Sequence, residues 1–246
     1  MDKTTHFGFT EVPTAEKQSL VGGVFTSVAK NYDVMNDLMS FGLHRLWKQH
    51  FVATGQFRAG HKVLDLAGGT GDISALVAPI VGESGLVVLS DINGEMLAIG
   101  RDRVLDGGHR NVVSARVNAE TIPFPNGTFD RVTIAFGLRN VTDQLKALTE
   151  MRRVLGVGGQ ALVLEFSSVR QPLLKPLYDT YSFAVLPRLG KFVAGDADSY
   201  RYLAESIRKH PDQETLASLM RQAGFERVAV RNLLGGIVAI HSGWAL

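Results

Sequence analysis

The chain has 246 residues, 45% hydrophobic and 20% charged, with a mean hydropathy of +0.07. That is too apolar for a disordered polymer and long enough to bury a core unaided. A net charge of +2 implies no nucleic-acid partner, and the absence of cysteine excludes disulfides, thiolate zinc sites and thiol nucleophiles; no metal site is expected.

In chain order, the polar start MDKTTHFGFTEVPTAEK lacks a signal-peptide core, and no apolar run reaches the roughly 18 residues of a membrane span. A cytoplasmic protein is expected. Residues 14–58 read as helices, because Val24, Val28, Met35, Leu38, Met39, Leu43, Leu46 and Trp47 recur mostly at spacings of three and four. The period then changes. Strands are expected at 62–66, 86–90, 112–117, 129–135 and 161–166, alternating with helices at 72–81, 96–105 and 144–155, the last closed by Gly156 and Gly158-Gly159. Beyond Phe166 the prolines 172, 176 and 187 and many aromatics suggest inserted short helices. A helix at 210–223 follows, and then two alternating runs, 225–233 and 237–242, that read as a hairpin. Alternating strands and helices predict an α/β fold with a doubly wound, mostly parallel sheet.

Three segments carry chemistry. The first is Val63-Leu64-Asp65-Leu66-Ala67-Gly68-Gly69-Thr70-Gly71-Asp72: a strand, a glycine turn and a helix start. Asp91, 20 residues beyond Gly71, ends the next strand, where a carboxylate can accept both hydroxyls of a ribose. Nicotinamide-binding proteins share both features. Asp65 before the turn can face a ligand's ammonium group, directly or through water, and Asp72 after it argues the same way, which favours S-adenosylmethionine over a dinucleotide, whose pyrophosphate at that helix start would meet like charge. The second segment, Asn118 to Asp130, begins with Asn118-Ala119, suited to an adenine edge with a small residue beside the ring. The third, Ala135-Phe136-Gly137-Leu138-Arg139-Asn140-Val141, places a polar pair at the carboxyl end of a strand, the edge at which such sheets bind ligands.

Together these motifs resemble class I S-adenosylmethionine-dependent methyltransferases. More narrowly, the sequence resembles the UbiE-type C-methyltransferases of ubiquinone and menaquinone biosynthesis. Besides VLDLAGGTGD at 63–72, the resemblance rests on VFTSVAKNYDVMNDLMSFGLHRLWK at 24–48, NAETIPFPNGTFD at 118–130, FGLRNVTD at 136–143, YDTYSFAVLPRLGK at 178–191 and DADSYRYLAESIRKHPDQETL at 196–216. Two positions depart from the family pattern: Ala135 stands where Ser is usual, and Gly156-Val157-Gly158-Gly159 replaces Lys-Pro-Gly-Gly.

The resemblance implies a Rossmann-like, seven-stranded sheet with a C-terminal antiparallel hairpin. It implies a helical cap over 1–58 and a methyltransferase domain over 59–246, with 167–210 a helical insertion beside the substrate. S-adenosylmethionine is the implied cofactor, held by Asp65, Gly69, Thr70, Asp91, Ile92, Met96, Asn118, Ala119 and Ala135. The implied reaction is C-methylation of a polyprenyl hydroquinone. Arg139, Asn140 and His210 are the candidates for catalysis, and Tyr178, Tyr181, Tyr200 and Arg201 for binding the quinol. His210 carries a competing reading as a helix cap, and Arg139 as a structural cation paired with Asp143 or another carboxylate. Benzoquinol and naphthoquinol acceptors both stay open, as do a homodimer, peripheral membrane contact and a place in a quinone-biosynthesis complex. Alternatives are another methyl acceptor, a nicotinamide-dependent oxidoreductase and a non-catalytic binding protein.

Overall fold

The computed structural model describes residues 4–29, 32–171 and 197–246. It opens with a two-stranded antiparallel hairpin, β1 (Thr4–Phe7) and β2 (Thr10–Pro13), turning at Gly8. The polar composition of this stretch concealed it, since two four-residue strands carry almost no periodic signal. Three helices follow, α1 (Thr14–Val28), α2 (Tyr32–Ser40) and α3 (Leu43–Thr54). Val28 and Trp47 are buried as their spacing predicts, but Leu46 is 60% exposed. The side chains of Met35, Leu38 and Met39 lie outside the described part.

The main sheet has seven strands: β3 (Lys62–Leu66), β4 (Leu86–Asp91), β5 (Val112–Arg116), β6 (Phe129–Ala135), β7 (Leu155–Phe166), β8 (Glu226–Leu233) and β9 (Val238–Ala245). Their order is β5-β4-β3-β6-β7-β9-β8; β9 runs antiparallel to both neighbours and every other pairing is parallel. The remaining helices are α4 (Asp72–Val81), α5 (Gly94–Asp106), α6 (Gln144–Val154), α7 (Ala197–Lys209) and α8 (Gln213–Gln222).

Consecutive strand residues feed opposite cores. Val63, Val87, Leu89, Leu162 and Leu164 pack with Trp47, Phe51, Val77, Val104 and Leu203 on one face. Leu64, Leu66, Val88, Ile134 and Val163 pack with Leu148, Met151, Leu216 and Met220 on the other. Strands buried on both faces lose polar alternation, which is why these read as continuous apolar runs.

Two boundaries differ from the sequence reading. The glycines at 156, 158 and 159 do not close α6; it stops at Val154 and β7 begins at once with Leu155. A Cβ at Gly159 would sit 2.8 Å from the Gly156 carbonyl oxygen, so the glycines serve a tight bend inside a long strand. His210 does not start a helix either. It follows α7, its N–H bonded to the Ser206 carbonyl, and the cap of α8 is Asp212, whose carboxylate accepts from the Thr215 N–H.

Candidate active site

The carboxyl ends of β3, β4, β5 and β6 open into one cavity, as the topology of an open parallel sheet requires. Ala67 and Gly69 line it after β3, Asp91 to Asn93 and Met96 at the β4–α5 junction, Val117 to Glu120 after β5, and Phe136, Gly137 and Asn140 to Thr142 after β6. Gln18, Val21, Gly22 and Phe25 of α1, with Tyr32 of α2, complete the wall.

The glycine turn is shaped by close approach. A Cβ on Gly100 of α5 would lie 2.4 Å from the Gly69 carbonyl oxygen, so a bare glycine lets the helix pack against the turn. Ala67 and Phe136 face each other's loops with φ of 48° and 56°, left-handed values that are costly for side chains with a Cβ and that cluster at binding sites. Phe136 is braced by Phe166 (ring centroids 4.9 Å) and Trp47 (6.3 Å).

Asp91 is 8% exposed and lines the cavity. Its Oδ2 accepts from the Gly69 N–H (3.0 Å) and its Oδ1 from the Asn93 N–H (2.8 Å). Burial pushes its carboxyl above the ordinary value while these N–H donors pull it back. Each oxygen keeps a second lone pair, the arrangement needed for a vicinal diol. Around it, Ile92, Met96, Val117 and Ala119 supply apolar surface. A carboxylate beside an apolar slot fits a ribose with its flat base. Asn118 lines the cavity with its Oδ1 accepting from the Glu120 N–H, which folds the turn that presents Ala119.

Of the nine residues the sequence assigns to the cofactor, six line the cavity: Gly69, Asp91, Ile92, Met96, Asn118 and Ala119. Three do not. Asp65 is fully buried beneath the turn, its oxygens accepting from the hydroxyls of Ser74 (2.7 Å) and Thr133 (2.8 Å). Burial raises its pKa to about 6. Thr70 is 4% exposed and outside the lining, and Ala135 sits in the β6–β7 ladder opposite Leu164. Asp72, read above as facing a ligand, instead bridges Lys48 (2.6 Å) and Arg103 (2.8 Å).

The catalytic candidates separate in the same way. Leu138–Asn140 form one short 3-10 turn. Asn140 lines the cavity, whereas Arg139 is turned into the protein. The Arg139 Nη1 lies 2.9 and 3.1 Å from the two Glu165 oxygens and also donates to the Phe136 carbonyl, and its guanidinium lies over the Phe166 ring. Side-chain exposures of 4% and 1% make this a buried ion pair, and the carboxylate that Arg139 meets is Glu165, not Asp143. His210 is buried behind the same pair, its Nδ1 3.5 Å from Gln144, and burial lowers its pKa to about 4. It is neutral at physiological pH and outside the cavity lining.

Among the quinol-binding candidates, Tyr178 and Tyr181 lie outside the described residues. Tyr200 is packed in the core at 1% exposure, and Arg201 is exposed beside Asp198 (3.2 Å). The sequence reading missed Tyr32, Phe25 and Gln18. Helical periodicity marks α1 as having a buried face, but not that this face is shared between the core and the cavity.

The fold and this cavity define a Rossmann-like methyltransferase architecture. Solved S-adenosylmethionine-dependent methyltransferases superpose on the chain. One from Aquifex aeolicus has a TM-score of 0.64 over 87% of this chain and 98% of its own at 18% identity, and one from Thermotoga maritima has 0.61 over 91% and 99% at 19%. The sequence places the chain further. The model of the ubiE/COQ5 methyltransferase family matches residues 13–245. The chain is 62% identical to the ubiquinone/menaquinone biosynthesis C-methyltransferase UbiE of Stenotrophomonas maltophilia, over 99% of this chain and 96% of that one. It is 61% identical to the protein of the same name from Xylella fastidiosa, over 98% and 96%. The chain belongs to the ubiE/COQ5 methyltransferase family.

Proposed function

We propose that this chain transfers a methyl group from S-adenosylmethionine to a ring carbon of a polyprenyl hydroquinone in ubiquinone and menaquinone biosynthesis. The observation that carries the cofactor assignment is Asp91, a buried carboxylate oriented by the Gly69 and Asn93 N–H groups at the wall of a largely apolar cavity. In this reading Asp91 accepts the ribose hydroxyls, and Met96, Ile92 and Ala119 sandwich the adenine beside Asn118. When bound, the cofactor supplies a methyl group activated by its sulfonium.

The protein's part is to hold the acceptor ring in line with that methyl and to keep water out. A ring carbon attacks only if a ring oxygen donates electron density, so that oxygen must give up its proton, and once the carbon–methyl bond has formed the proton on that carbon must leave; water can take both. Asn140 is the polar side chain of the FGLRN segment that lines the cavity, and its amide N–H donors suit that oxygen. Phe136, Phe25 and Tyr32 enclose the ring. Arg139 and Glu165 hold the loop that presents Asn140.

No helix among the described residues is long and apolar enough to cross a membrane. A polyprenyl tail resides in a bilayer, and Phe41 (75% exposed), Leu46 (60%) and Val34 (45%) project from the α2–α3 region. They support peripheral contact with lipid.

Calorimetric titration with S-adenosylmethionine tests the cofactor assignment. Asp91→Ala is expected to weaken binding by about 2–3 kcal/mol, the scale for losing a charged acceptor. Unchanged affinity in that variant, or equal affinity of the unaltered protein for NADH, would refute it.

A further inference from the structure

We propose that Tyr202, on α7, is a positioning residue for methyl transfer: its hydroxyl fixes which end of the Asn140 amide faces the cavity. The inference rests on the reading of Asn140 as a donor to the ring oxygen.

The backbone of Asn140 is already pinned, its N–H bonded to the Gly137 carbonyl and the following Val141 N–H to that of Leu138. What remains free is rotation of the side-chain amide. One end of that amide accepts and the other donates. An amide free to flip would present its oxygen to the ionised ring oxygen as readily as its N–H groups, and two acceptors repel. The Tyr202 Oη donates to the Asn140 Oδ1 at 3.0 Å. This bond occupies the acceptor end and leaves the Nδ2 donors for the cavity that Asn140 lines.

Tyr202 is itself held. It is 5% exposed and stacks on Phe7 of β1, with ring centroids 4.3 Å apart and planes 19° from parallel. Burial, countered by the Arg139 guanidinium and reinforced by the Glu165 carboxylate, pushes its phenol up to about 12. It therefore stays a donor at any pH the enzyme meets. The hairpin β1–β2, which supplies no residue to the cavity lining, thereby acts on the orientation of one amide. Tyr202 does not line the cavity, so it acts through Asn140 and not on substrate directly.

The test is steady-state kinetics of the full chain with S-adenosylmethionine and a reduced polyprenyl quinol, on Tyr202→Phe, Asn140→Ala and the double variant. Tyr202→Phe is expected to lower kcat about 10-fold, and Asn140→Ala about 100-fold, the scale of one lost donor to an oxyanion. KM for both substrates should move less than about 3-fold, a split that general loosening of the fold would not give. The double variant should be no slower than Asn140→Ala, because Tyr202 has nothing left to orient. Phe7→Leu removes the stacked ring and keeps the hydroxyl, so it should give a smaller fall of the same kind, and it serves if Tyr202→Phe folds poorly. A normal kcat in Tyr202→Phe beside a slow Asn140→Ala would overturn the inference and leave Asn140 in place. So would a further 10-fold loss in the double variant. A normal kcat in Asn140→Ala would instead overturn the reading of Asn140 on which the inference stands.

Discussion

Replacing Arg139 by Gln leaves the Glu165 carboxylate inside the protein without its cation. The pair is buried at 4% and 1% side-chain exposure, and Nη1 reaches both carboxylate oxygens. Removing one partner of such a pair typically costs about 3–5 kcal/mol, because the other charge stays desolvated. Here the Arg139 and Phe166 N–H groups still donate to Glu165, so the lower end, about 3 kcal/mol, applies. For a chain of this size that lowers Tm by about 6–12 °C. Differential scanning calorimetry at neutral pH reads it directly. Replacing both partners, as Arg139→Met with Glu165→Leu, should recover most of the loss, since apolar groups of similar size need no counter-ion. An Arg139→Gln protein that melts with the unaltered one while its kcat drops about 100-fold would refute this reasoning, because that is how a cation acting on the ring oxygen would behave.

Two buried titrations give opposite pH signatures. Asp65 has a folded pKa of about 6 against an ordinary 3.8, so the folded state binds the proton more tightly and stability falls as pH rises through that window. Asp65→Asn should abolish this slope and gain up to roughly 3 kcal/mol over the unaltered protein at pH 7, with the gain fading below pH 4; a pH-independent difference in urea midpoints would contradict it. His210, with a folded pKa of about 4 against 6.5, takes up its proton more readily when unfolded, so its contribution to stability is lost as pH falls from 6.5 to 4. His210→Gln should flatten that acid limb and leave the kcat profile between pH 6 and 8 unchanged; a lost ionisation near pH 6.5 in kcat would return His210 to the chemistry.

The sequence reading succeeded where structure is local or follows from topology. The run Val63–Leu66, the glycine turn and Asp91 each declare themselves within a few residues. The carboxyl-edge rule then places the loops after β5 and β6 at the cavity. It failed where one residue of rotation decides. Arg139 and Asn140 are adjacent in a 3-10 turn, and nothing local says which faces the cavity and which the core. The answer comes from Glu165, 26 positions away on the neighbouring strand β7. Asp65 misled for a related reason. A carboxylate at a strand end can face a ligand or cap the interior, and here the hydroxyls of Ser74 and Thr133 claim it. The wall formed by α1 was hidden because Gln18, Gly22 and Phe25 stand outside the periodic apolar positions, Val24 and Val28, on which the helical reading rested.

Methyl transfer to carbon is the central claim, and a single-turnover assay tests it most directly. The purified chain would be mixed with S-adenosylmethionine carrying a labelled methyl and, separately, the demethylated naphthoquinol, the methoxy-benzoquinol and the oxidised form of each, under strict exclusion of reductant. Label is expected on a ring carbon of at least one reduced substrate and on neither quinone, because an oxidised ring lacks the electron density to attack. Label on a ring oxygen, or equal transfer to quinone and quinol, would contradict it.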